Sequence, residues 1–114
     1  MKNMPRTSAP PRLVEVFPEF ALELEELLIR ANRAELAAQI PELSIARRCR
    51  CEDDFCATFH TQHERERRSG RDFGHLELQP KAGMIILDIV SGHIAEVEVL
   101  YRDDVRRALH AVFP

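Results

Sequence analysis

The sequence predicts an α+β domain in which N-terminal helices pack on one face of a mostly antiparallel sheet of about five strands, with a short C-terminal helix. Apolar residues recur at three- and four-residue steps near the start of the chain and again near its end. Between residues 43 and 101 the period changes to two, which is typical of half-buried strands. Short links between the alternating runs favour antiparallel neighbours, and helix, strands, helix is the order of an α+β fold.

Composition limits the class of protein. The chain has 114 residues, of which 45% are apolar, so it is long and apolar enough for one domain with a core. Its 16 basic and 19 acidic residues give a net charge of −3, which argues against a general nucleic-acid binder. No apolar run approaches the ~18 residues of a membrane span. We therefore expect a cytoplasmic protein without a membrane partner or a bound cofactor.

The N-terminal region divides into an arm and two helices. Prolines and small polar residues predict a disordered arm over residues 1–12, so the domain is expected over residues 13–114. Pro18 suits the first turn of a helix, where its missing N–H costs nothing. One long helix buried on two sides is an alternative to a break near Asn32. We favour the break, because Asn32 with Glu35 three residues later matches a capping box, and Pro41 would then end the second helix.

The remaining elements follow in order along the chain. Alternating or apolar runs predict five strands, over residues 43–51, 55–61, 76–78, 84–90 and 94–101. The charged stretch 63–72 has almost no apolar content and is predicted to be a solvated loop. Asp103 or Asp104 can cap a final helix whose apolar stripe ends at Phe113.

Three cysteines provide the one chemically suggestive segment. Cys49, Cys51 and Cys56 lie within eight positions, and His60 follows shortly after them. Structural zinc takes four Cys or His ligands, so these four side chains form a candidate zinc site, although their spacing is not a standard one. The alternative is that Cys49 and Cys51 are small buried hydrophobes, as free cysteines often are.

The register of the predicted hairpin separates these alternatives. A two-residue link, over 53–54, brings the three thiols and His60 to one face but moves the phenylalanines to the face of the arginines. A three-residue link, over 52–54, places Phe55 and Phe59 on the apolar face with Cys49 and Cys51, and Cys56 and His60 on the other. Because a buried face selects the register strongly, we expect the three-residue link.

Other polar residues give weaker indications of chemistry. The five histidines lie in polar or turn segments, and we expect them to be exposed, because catalysis would need a partner within hydrogen-bond reach. Glu96 and Glu98 share one face of a predicted strand, where paired carboxylates hold metals or, more often, oppose strand pairing. The arginines of 47–50 and 65–71 suggest a basic patch. The interleaved Glu64, Glu66 and Asp72 argue against a nucleic-acid interface there.

Two segments resemble small bacterial domains of unassigned function. They are the C-R-C-x-D-D-F-C-x-x-F segment that begins at Cys49 and the hairpin Gly83–Leu100, with its Asp, Gly turn and Val-Glu-Val-Leu ending. The resemblance implies a sheet-plus-helix fold in the bacterial cytoplasm, and it carries over no catalytic residue.

The sequence therefore predicts a non-enzymatic protein-interaction module, homodimeric through a sheet edge or through the exposed side of the N-terminal helices. Long apolar strands have edges that must be covered, and no catalytic constellation stands out. The alternative is a small zinc-binding protein or metal-dependent enzyme that uses Cys49, Cys51, Cys56 and His60.

Overall fold

The computed structural model describes residues 9–69 and 72–114. The helices in these ranges are α1 (Leu13–Val16), α2 (Pro18–Arg30), α3 (Ala34–Ala37) and α4 (Asp103–Val112), with 3-10 turns at Ile40–Glu42 and Glu64–Ser69. The strands are β1 (Ile45–Arg48), β2 (Phe59–Thr61), β3 (Phe73–Leu78), β4 (Met84–Val90) and β5 (His93–Leu100).

The five strands form one sheet in the order β1-β2-β5-β4-β3, and all neighbouring pairs are antiparallel. The β4–β5 hairpin is at the centre, and its turn contains Ser91 and Gly92, both with positive φ. With α4 closing the chain, the predicted α+β architecture is confirmed.

One face of the sheet and the N-terminal helices enclose a single core. The buried residues of α2 are spaced at three and four positions, and those of β5 fall mainly at alternate positions. The core joins helix residues Leu13, Phe20, Leu24, Leu28 and Leu36 to sheet residues Ile45, Phe59, Ile85, Leu87, Val97 and Val99. No helix in the described residues is long and apolar enough to cross a membrane.

Part of the predicted arm belongs to the domain. Residues 1–8 lie outside the described residues, so the disorder expected there is not described. Pro11 and Arg12 lie along the outer edge of β1: the N–H of Ile45 donates to Pro11 O at 2.8 Å, and Arg12 bridges to Ser44. The sheet edge at β1 is therefore covered by the chain itself.

The break after α2 occurs where it was expected, but the capping box predicted for Asn32 and Glu35 is wrong. Asn32 has φ +63° and lies beyond the end of α2, with its N–H donating to Ile29 O at 3.0 Å. Asparagine tolerates this left-handed conformation, so it ends the first helix rather than beginning the second. Glu35 instead accepts a hydrogen bond from Arg33 Nε at 2.8 Å.

Arg102 joins three parts of the chain at the end of β5. Its guanidinium donates to both carboxylate oxygens of Glu23 on α2, at 2.9 and 2.8 Å, and to Asp104 at the start of α4. It also lies over the ring of Phe20, 5.6 Å from the centroid. Hydrogen bonds from Glu23 and Asp104 raise the pKa of Arg102 further above its usual range. This residue therefore ties the helical layer to the junction between β5 and α4.

The predicted hairpin of β1 and β2 forms, but its expected three-residue link is wrong. Residues 49–58 separate the paired ends, where Arg48 lies opposite Phe59. The end of β5 pairs with this segment: Ala57 N–H donates to Val99 O, and Tyr101 N–H donates to Phe55 O, both at 2.8 Å. Residues 55–57 therefore extend the pairing of β2 with β5, whereas the ladder between β1 and β2 ends at Arg48 and Phe59.

The two phenylalanines of this segment consequently have different environments. Phe59 is fully buried, as predicted, whereas Phe55 is 37% exposed and stacks on the exposed ring of Tyr101 at a centroid distance of 5.2 Å. The prediction that Phe55 lies on the core face is therefore wrong.

This difference gives a stability prediction. Phe59→Ala should lower the free energy of unfolding by about 3–5 kcal/mol, because it leaves a core cavity. Phe55→Ala should lower it by only about 1–2 kcal/mol, mainly through the lost aromatic stacking. Urea unfolding of the two variants measures both values, and equal losses would contradict the described environments.

Candidate metal centre

The three cysteines converge at the edge of the sheet, although they come from different segments. Cys49 follows β1 directly, and its N–H donates to Thr58 O at 2.8 Å. Cys56 forms an isolated antiparallel bridge to Leu100, the last residue of β5. Cys51 lies in the loop between them, and each Sγ lies within 4.8 Å of the other two. The thiols therefore share one site rather than opposite faces of a hairpin.

The prediction that Cys49 and Cys51 are small buried hydrophobes is wrong. Cys49 and Cys56 are half-buried, Cys51 is exposed, and all three are free thiols. The expectation of opposite faces assumed continuous pairing between the two runs. The ten-residue link removes that constraint.

His60 is placed elsewhere, so its assignment as the fourth ligand of the thiol set is wrong. It is not among the described side chains whose ligand atoms come within 4.8 Å of the thiols. It lies on β2 opposite Arg47 and Glu96, and its Nδ1 is 3.6 Å from Glu96 Oε1 and 3.9 Å from Glu64 Oε1. Its side chain therefore belongs to the polar face of the sheet.

That polar face carries a row of side chains from all five strands. Direct cross-strand pairing aligns Arg47, His60, Glu96, Asp88 and His75. Glu96 and Glu98 lie on β5 opposite Asp88 and Ile86, two positions apart on this face. His75 Nδ1 and Asp88 Oδ1 are 2.7 Å apart, and Arg47 Nε donates to Glu64 at 2.9 Å. The expectation that all five histidines are exposed is wrong, because His60 is 13% and His63 is 23% exposed.

Arginines position the main chain of the first cysteine. Arg48 Nη1 donates to Cys49 O at 3.0 Å, and its Nε donates to Phe113 O. Arg48 Nη2 and Arg50 Nη1 both donate to a main-chain oxygen of Pro114 at 3.0 Å. The segment that carries Cys49 is thus tied to the residues that follow α4.

The pKa values of Cys56 and Cys51 are shifted in opposite directions. Burial acts to raise the pKa of Cys56, but hydrogen bonds from the hydroxyl and N–H of Thr58 and from the other two thiols outweigh it and lower that pKa. An N–H of Asp53 acts to lower the pKa of Cys51. The hydrogen bonds with Cys56 and Cys49, desolvation and the charge of Cys56 together raise it to about 11. Cys56 therefore ionises before Cys51 and is stabilised as a thiolate by its neighbours.

The three thiols suit a thiophilic cation. Thiolates select zinc and copper(I), and zinc–sulfur bonds of ~2.3 Å bring tetrahedral sulfur ligands to roughly 4 Å of one another. Separations of up to 4.8 Å need only side-chain rotation to reach that distance. Three sulfur ligands leave one tetrahedral position for a water or another ligand.

A second group of side chains with suitable metal-ligand atoms was not predicted from the sequence. His63, Glu66 and His93 place their ligand atoms within 4.8 Å of one another. The spacing His63-x-x-Glu66 was the only local signal, because His93 is contributed by a distant strand.

The coupling between thiols gives a testable pH dependence. In Cys56→Ser the pH profile of Cys51 alkylation should move to lower pH, because the neighbouring thiolate that raises the pKa of Cys51 is absent. Cys49→Ser, which keeps that thiolate, should produce a smaller shift. Alkylation rates measured by peptide mass spectrometry from pH 6 to 11 distinguish the variants. An unchanged Cys51 profile in Cys56→Ser would contradict the coupling.

Comparison with protein-family models, curated proteins and solved structures finds no match to the chain. The chemistry of the site must therefore be inferred from its own side chains.

Proposed function

We propose that this protein binds zinc through the thiolates of Cys49, Cys51 and Cys56. The observation that carries the proposal is the convergence of three Sγ atoms within 4.8 Å from both sides of a ten-residue loop. Two of the segments are fixed by main-chain hydrogen bonds, Cys49 to Thr58 and Ala57 to β5. The ligands are thus brought together by the fold before a metal arrives, which lowers the ordering cost of binding.

The donor set supports an exchangeable site rather than a structural one. Structural zinc sites are closed by four protein ligands, whereas sites that keep a position for water or substrate have three. Cys51 is exposed, so solvent and incoming ligands reach the centre. Binding releases protons from the thiols, and the lowered pKa of Cys56 favours the thiolate form that a metal ion binds.

The composition of the hydrophobic core also supports an exchangeable rather than a structural zinc site. None of the three cysteines belongs to the described hydrophobic core, which is formed by the helices and the inner face of the sheet. The fold therefore does not rely on the metal for its apolar burial. Zinc is expected to stabilise the native state only through mass action.

Cobalt substitution tests the proposal directly. The protein should bind Co²⁺ with thiolate-to-metal charge-transfer absorption, which Zn²⁺ should abolish by displacement. Each single Cys→Ser variant should weaken zinc binding by more than about 100-fold, since loss of even an outer-shell partner typically costs about 10–100-fold.

His60→Ala is the matched control, because His60 lies outside the thiol group, and it should leave the charge-transfer band unchanged. Circular dichroism should show a folded protein after chelation, as expected for an exchangeable site. Absence of sulfur charge transfer would refute the proposal, and unfolding on chelation would refute the exchangeable character.

A second candidate function is self-association through β3. Among the described residues β3 is hydrogen-bonded to a strand on one side only, and it carries Phe73, which is 43% exposed. An open strand edge favours pairing with another chain. Light scattering should detect a dimer that Phe73→Asp weakens. A monomer at millimolar concentration would refute this candidate.

A further inference from the structure

We propose that His63, Glu66 and His93 form a second zinc site that is independent of the cysteines. His63 Nδ1 lies 2.8 Å from Glu66 Oε2, and His93 Nδ1 lies 2.9 Å from Glu66 Oε1. Each carboxylate oxygen therefore faces one imidazole nitrogen. The three ligand atoms lie within 4.8 Å of one another, so one cation can contact all three once the imidazole rings rotate about their side-chain bonds.

The two imidazole rings lie next to each other and face the same carboxylate. They stack face to face with a centroid distance of 4.2 Å and an interplanar angle of 6°. The Nδ1 lone pair lies in the plane of its ring, so the parallel rings must rotate before both nitrogens point at one ion. Both Nδ1 atoms already face the same carboxylate, and in the rotated arrangement a metal ion takes the place of the ring protons. Two neutral imidazoles and a carboxylate leave a net charge of +1 with a divalent ion.

The donor set indicates the class of metal. Imidazole nitrogen is a preferred ligand of zinc, and two histidines with one carboxylate are found in zinc sites that keep an open position. Calcium and magnesium prefer all-oxygen ligands, which this group does not supply.

Four hydrogen bonds, one of them buried, fix the two main-chain segments that carry the imidazoles. Thr61 Oγ1, in a fully buried residue, accepts from His63 N–H at 3.1 Å and donates to Ile94 O at 2.6 Å. Gln39 donates to Gly92 O at 2.7 Å and accepts from Ile94 N–H at 3.1 Å. One hydroxyl thus links the His63 turn to β5, and one amide brackets His93 on both sides. Such supporting hydrogen bonds preorganise ligand side chains.

The carboxylate of Glu66 is ionised and accessible to solvent. Hydrogen bonds from His63 and then His93 lower the pKa of Glu66. Glu66 is 37% and His93 is 46% exposed, so a hydrated ion can reach the group from solvent.

The proposed site is distinct from the thiol centre because the two lie at opposite ends of β5. His93 is the first residue of the strand, and Cys56 bridges to Leu100, the last. A strand of this length separates its ends by roughly 20 Å at about 3.3 Å per residue. Neither site can supply a ligand to the other.

The test uses the full chain with Cys49, Cys51 and Cys56 all changed to serine, which removes the thiol centre. Isothermal titration with Zn²⁺ should still show one equivalent bound per chain. Co²⁺ should give visible ligand-field absorption without sulfur charge transfer. His93→Ala in this background should weaken zinc binding by at least about 100-fold, more than loss of an outer-shell partner.

His75→Ala is the matched control, because this exposed histidine lies outside the group, and it should leave zinc affinity unchanged. Circular dichroism verifies that each variant is folded, and Glu66→Gln provides a conservative second variant at an exposed position. The proposal is overturned if the serine variant binds no zinc up to millimolar concentration. It is equally overturned if His93→Ala and Glu66→Gln both bind zinc as tightly as their parent.

Discussion

The eight-residue strand β5 extends beyond β2 at both ends, and both candidate sites depend on this overhang. Only Phe59 and His60 of β2 are paired with β5. At the far end of β5, the free hydrogen-bonding groups of Val99 to Tyr101 are satisfied by residues 55–57. At its near end, Ile94 is bonded by Thr61 and Gln39. Buried main-chain N–H and C=O groups need hydrogen-bond partners, so other segments of the chain bond to both ends of β5.

The two ends of β5 carry different metal-ligand side chains, because different segments of the chain bond to each end. The far end gathers thiols because residues 55–57 carry Cys56 and because the β1 end, with Cys49, lies beside them. The near end carries imidazoles because the turn after β2 contains His63 and β5 begins at His93. Sites at strand ends lie outside the core, so their chemistry is separated from the burial that stabilises the fold. This separation is typical of binding groups carried on loops by a rigid scaffold.

Local patterning predicted the layers of this protein and the position of several boundaries. Pro18 does begin α2, and the apolar spacing of Phe20, Leu24 and Leu28 does identify its buried face. The strand over 84–90 is predicted within its observed bounds, because a strongly apolar run flanked by glycine turns has few alternatives. The local pattern predicts an N-cap at Asn32, which instead lies just beyond the end of α2. Asparagine serves both positions, and only the path of the following chain distinguishes them.

The α+β class, the helical and extended periods and the closeness of three cysteines along the chain follow from local residue patterns. The convergence of the three sulfurs, the exposure of Phe55 and the stacking of His63 on His93 arise from long-range pairing in the folded chain. The physical reason is that periodicity records which side of a strand is buried, but not which neighbouring strand will satisfy its hydrogen bonds. The pairing of residues 55–57 with the end of β5 is a long-range contact that the local pattern does not encode, and His60, on β2, lies apart from the cysteines that precede it in sequence.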